Sequence, residues 1–239
     1  MNFKFDLVRA SALVFVLLHT SFQASAEVTF ESTGETISGD MTITQDMGLT
    51  QGSNLLHSFL DFNVNTGESA TFTGDNSITN VIARVSGDSV SNINGMLRST
   101  ITDANLFLIN PNGIAFGENA SIDINGSLHL STANSLTFAD DSQLLISDSG
   151  ASGFTAAAPT AFGFSSSSAG ISFNGTQISS AAGSQLEGMS VTGGDISLMD
   201  SSIAIAGGNI DLLATAGDTV VLMDPSMRDH GSISLGDIS

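Results

Sequence analysis

Beyond its amino-terminal segment, this chain's apolar residues fall into groups of strand length that do not lengthen into a helical stripe, which limits the fold to β architecture. Such groups occupy residues 71–72, 78–85, 121–124, 127–130, 144–146, 170–173 and 196–198, and Gly, Asn, Asp or Ser separates them. Ile122-Asp123-Ile124 and Leu128-His129-Leu130 alternate apolar with polar residues. That period of two buries one side of a strand and leaves the other to a different environment. Lys, Arg and Gln, which favour helices, are scarce. The expected class is all-β.

Short similar phrases recur towards the carboxyl end: Gly193-Gly194-Asp195-Ile196-Ser197-Leu198, Gly207-Gly208-Asn209-Ile210-Asp211-Leu212 and Gly231-Ser232-Ile233-Ser234-Leu235. They read as successive coils of a β-helix, whose coil lengths vary with their loops. A sandwich of many short strands is the competing architecture. Residues 151–168, rich in Ala, Ser and Gly, read as a loop between a block at 27–150 and further coils at 169–239, the last coil cut off.

The first 26 residues carry Lys4 and Arg9, an apolar run at 10–18 and then Ala24-Ser25-Ala26. This order is that of a secretory signal peptide cut between Ala26 and Glu27, and its apolar core is too short for an ordinary membrane span. Cleavage leaves Arg84, Arg98 and Arg228 as the only fixed cations of a chain whose net charge is −19 at pH 7 before processing. Nucleic acid and anionic membrane surfaces are therefore poor partners, and neither nucleic-acid binding nor stable membrane insertion is expected. With no cysteine in an exported chain, neither disulfides nor thiolate metal sites hold the fold.

Residues 104–117 contain the clearest local signal. Leu106 to Ile109 is a strand, and Asn110-Pro111-Asn112-Gly113 places turn residues at four successive positions. Asn at the first can bond the backbone beyond it, Pro presets the second, and Gly is the common exit from a type I turn. Ile114 to Phe116 then forms the next strand.

Catalysis finds little support. Asp140-Asp141 suggests paired acids, yet neighbours on a strand face opposite sides, and two carboxylates sharing a sugar must project into one groove. His57, His129 and His230 are dispersed and have no nucleophile or metal spacing. Asp75, Asp88, Asp195, Asp218 and Asp237 each follow Gly, but the glycine-rich calcium repeat is missing. No catalytic residue, cofactor or metal is expected.

The ordered set His57-Ser58-Phe59, Phe62-Asn63-Val64, Asn80-Val81-Ile82-Ala83-Arg84-Val85, Asn92-Ile93-Asn94-Gly95 and residues 104–117 resembles the haemagglutination-activity domain of filamentous haemagglutinins. Gly126-Ser127, Leu130-Ser131-Thr132-Ala133 and Phe162-Gly163-Phe164 extend the likeness over roughly residues 50–215. The family's earlier Asn-Pro-Asn-Leu motif is absent. The resemblance implies a right-handed single-stranded parallel β-helix of pectin-lyase-like form with amino-terminal capping strands, and a role as the two-partner secretion domain of an adhesin-like protein of a Gram-negative cell. Its implied partner is an outer-membrane β-barrel transporter with periplasmic recognition domains, and its destination the cell surface or medium. A host or surface glycan or protein receptor would be met by the full-length protein. Asn105, Asn110, Pro111, Asn112, Gly113 and Gly117 are the expected secretion-motif residues, either as transporter contacts or as a corner of the coil. A carbohydrate-active β-helix enzyme is the alternative function.

Overall fold

The computed structural model describes residues 27–165, 168–179 and 186–227. The expected signal peptide, with Ala26 of its cleavage site, and the phrase at 231–235 lie outside them. The described chain is a right-handed parallel β-solenoid of about 7 turns, with strands in 52% of residues and helix in 3%.

Three parallel faces wrap one apolar interior. The long face stacks Asn54–Phe62, Asn80–Val85, Asn105–Ile109, Ser127–Ser131, Gly188–Gly193 and Asn209–Ala214. A second face stacks Ser91–Ile93, Ile114–Phe116, Ile171–Asn174 and Ile196–Met199. The third stacks Asp40–Thr44, Ser69–Thr73, Met96–Ser99 and Ser121–Asp123, and the pair Gln177–Ser179 and Ser202–Ala204 occupies the corresponding stretch of later coils.

Antiparallel strands cap the amino-terminal end: Val28–Phe30 and Leu49–Gln51 both pair with Asn54–Phe62, and Thr36–Ile37 pairs with Val28–Phe30. Phe30, Phe59, Phe62 and Phe72 fill the coil beneath, with ring centroids 5.1 Å apart for Phe30–Phe59 and Phe59–Phe62. Phe116 and Phe173 stack one coil above the other at 5.1 Å. Like residues repeat at like positions because each coil lays its strand directly on the last, at the inter-strand spacing.

The same stacking makes an asparagine ladder at the entry to the long face. Asn80 Nδ2 donates to Asn54 Oδ1 at 2.9 Å, Asn105 Nδ2 to Asn80 Oδ1 at 3.1 Å, and the Ser127 backbone N–H to Asn105 Oδ1 at 3.0 Å. The steps are 26, 25 and 22 residues, which gives the true length of a coil. Asn80→Ala is expected to cost about 2 kcal/mol, because it leaves polar groups of Asn54 and Asn105 without partners. Chemical denaturation would measure it, and a cost below about 0.5 kcal/mol would show the ladder to be incidental.

The chain leaves the solenoid after Ser131. Ser135–Phe138, Gln143–Leu145, Pro159–Phe164 and the later Thr219–Leu222 form a separate antiparallel sheet. Pro159–Phe164 is thus a strand inside the stretch read as a loop. Its small flanking residues hide it in the sequence, while Phe162 and Phe164 are buried. This sheet packs on the outside of the long face, where Leu56, Ile82, Phe107 and Ile109 meet Leu136, Phe138, Leu144 and Phe162 in a second core. Asn80–Val85 is therefore buried at every position, as expected of a strand covered on both sides.

The two described glycine phrases, at 193–198 and 207–212, are not equivalent points of successive coils. Ile196–Met199 pairs on the second face with Ile171–Asn174, whereas Asn209–Ala214 pairs on the long face with Gly188–Gly193. What they share is a tight corner before a strand, which glycine supplies on either face.

Candidate functional site

The Asn110 to Gly113 segment forms the corner between the long face and the second face. Gly113 N donates to Asn110 O at 3.1 Å, closing a four-residue turn, and the Asn110 side chain accepts from Asn112 N at 2.9 Å. Gly113 has φ +116°, a value side chains resist. Strand ends, turn and following strand thus lie where the sequence puts them.

Asn110 itself points inward and has no exposed surface. Its Nδ2 donates to Ser89 O and to Ser91 Oγ, each at 2.9 Å, and its backbone N–H donates to Ser131 O at 2.9 Å. Asn112 is exposed and donates to Gly87 O at 2.6 Å. Ile114 N reaches Gly170 O at 3.4 Å, and Ser91 N reaches Gly113 O at 3.1 Å. The corner therefore ties coils on both sides of it, and Asn110's amide is consumed by the fold.

The other expected motif residues lie elsewhere. Asn105 opens its strand as a rung of the ladder. Gly117 is at the next corner, where an added Cβ would lie 2.3 Å from Asn94 Oδ1. Pro111 is partly exposed beside Asn110, and Glu27 precedes the first capping strand. A shallow groove of about 340 Å³ flanks the corner between Val90, Asn112, Ala115, Ser172 and Asp195.

The groups considered for catalysis do not converge. Asp140 and Asp141 sit in the hairpin between Phe138 and Gln143, where Asp140 accepts from Thr155 Oγ1 at 2.7 Å and from Ser142 N at 3.1 Å. The Thr155 hydrogen bond, then those from Ser142, hold its carboxyl below the usual range, opposite to the shift a general acid needs. His57 is inside the solenoid. His129 stacks on Phe107 outside it, at 4.4 Å, and bonds Ser190 Oγ at 2.8 Å. Among the described residues, no three His, Cys, Asp or Glu side chains come together as a metal site.

Arg84 is a residue that sequence reading passed over. It is 1% exposed; its Nε donates to Ser58 Oγ at 2.9 Å, Nη1 to Leu145 O at 3.0 Å, and Nη2 to Glu31 Oε2 at 2.8 Å and to Gly150 O. One guanidinium thus joins cap, long face and outer sheet, at the floor of a cavity of about 480 Å³. The available signal was an arginine inside the apolar run Asn80–Val85, in a chain with almost no cations.

A family model described as a TPS secretion domain matches residues 22–235. Compared with curated proteins, the chain matches none.

Proposed function

The chain belongs to the TPS secretion domain family, and from that premise we propose that its unfolded form is the segment an outer-membrane transporter selects through periplasmic domains. The family is one of non-catalytic secretion domains; its members are substrates of two-partner secretion, exported through an outer-membrane partner to the cell surface or medium. Strand-forming segments of the extended chain would add to an exposed sheet edge of the transporter, where backbone pairing supplies much of the affinity. Folding outside the cell then stacks the coils, and the full-length protein serves adhesion through a glycan or protein receptor.

In this reading Asn110 to Gly113 acts as a corner and not as a contact. The observation that carries it is the complete burial of Asn110, with its amide bonded to Ser89, Ser91 and Asn112. Asn110→Ala is expected to cost about 2–3 kcal/mol of folded stability, since it strands these partners. Refolding should slow and secreted yield should fall, while the unfolded segment's affinity for the transporter's periplasmic domains stays unchanged. A loss of that affinity with normal refolding would transfer the motif to direct recognition.

A further inference from the structure

His57 is wholly out of solvent, and no part of the corner or of the export reading uses it. Its ring lies in the apolar interior of the first coil, with centroids 5.5 Å from Phe72 and 6.1 Å from Phe59. Neither ring nitrogen has a hydrogen-bond partner. An orphaned polar ring in a core is costly, and a charged one is far more so.

What closes the ring off is a thin strap. Gln45–Met47 makes a single 3-10 turn with no buried residue, and Gly48 follows it. A Cβ on Gly48 would lie 2.9 Å from both Cε1 and Nδ1 of His57, so the strap rests against the ring. Its other side is open: Met47 and Leu49 are 42% and 44% exposed and border the cavity above Arg84. Gln45 anchors the strap to the next coil, accepting from Asp75 N at 2.8 Å.

We propose that the strap from Gln45 to Gly48 is a pH-sensitive latch over the amino-terminal end of the solenoid, held shut by neutral His57 and released when that ring takes up a proton. A closed strap leaves the imidazolium no water and no carboxylate. The charged groups on the elements packed against the ring are few. Asp46 on the strap is bonded by Thr44 Oγ1, Asp61 lies further along the same strand, and Arg84 is turned to the opposite side with Glu31. Ser69–Thr73, which carries Phe72, has no titratable residue.

Burial pushes the imidazole down from 6.5 to about 4; the Met47 backbone lies near enough to oppose this slightly, without completing a hydrogen bond. A group whose closed-state pKa is depressed in this sense favours closure above 6.5 and loses it as pH falls from 6.5 towards 4. Between pH 7 and pH 5 the opening equilibrium should rise about twentyfold.

Hydrogen exchange on the whole protein tests the latch. After correction for intrinsic chemical rates, the backbone amides of Met47, Gly48 and Leu49 should open about twentyfold more at pH 5 than at pH 7, while Leu108 in the core does not change. In His57→Leu the strap should show no such pH dependence. A direct NMR titration of the wild-type ring requires no variant to fold, and should place it near 4. A ring titrating near 6.5, strap amides indifferent to pH, or an equal rise at Leu108 would each overturn the proposal.

Discussion

Arg84→Met is expected to lower the stability of the folded domain by about 3–5 kcal/mol, the usual cost of removing one partner from a buried ion pair. Glu31, its side chain 15% exposed, would keep only Ser86 Oγ at 3.1 Å, and the carbonyls of Leu145 and Gly150 would lose their donor. Because those carbonyls belong to the outer sheet and its loop, the loss should be visible locally. Limited proteolysis near Gly150 should begin at denaturant concentrations where the long face is still intact. Arg84→Lys should fall between, since an ammonium cannot span the positions a planar guanidinium reaches. Pairing Arg84→Met with Glu31→Gln should recover part of the loss, by removing the stranded charge. A cost for Arg84→Met below about 1 kcal/mol, measured by urea denaturation, would mean that cap and outer sheet are held by packing alone.

Phe107→Ala should destabilise by a similar amount, about 3–5 kcal/mol, through lost burial and the cavity left behind. Phe107 is 2% exposed on the outer side of the long face, stacked on His129 and 6.5 Å from Phe162 of the outer sheet. It is thus the largest side chain that the solenoid presents to the second core, and its loss should loosen the outer sheet more than the coils. Ile109→Val, at the same interface, should cost only about 1 kcal/mol. Denaturation followed by backbone exchange would separate the two regions. If Phe107→Ala melts solenoid and outer sheet together, with no earlier exposure of Ser135–Phe138, the two cores form one cooperative unit.

Much of the architecture is visible residue by residue. The alternation in Leu128-His129-Leu130 survives as two inward leucines and an outward histidine, and the turn residues at 110–113 make the corner they describe. Arg84 shows the opposite case. Its strand is buried at every position because both sides are covered, and the guanidinium draws its acceptors from chain segments far from it: Ser58, Glu31, Leu145 and Gly150, 26, 53, 61 and 66 residues away. His57 is similar: nothing adjacent to it in the chain announces that a strap will seal it from water.

The sequence by itself determined that the domain is built of short strands and sharp corners, because side-chain period, glycine freedom and Asx bonding act over a few neighbouring residues. Only the tertiary structure decided which face each strand joins. The pairing partner lies 21 to 29 residues away within the regular coils, and 57 to 61 away where the outer sheet intervenes. Register over such distances is chosen by the fit of stacked side chains and by the burial of the long face on both sides, and neither is a property of any short segment.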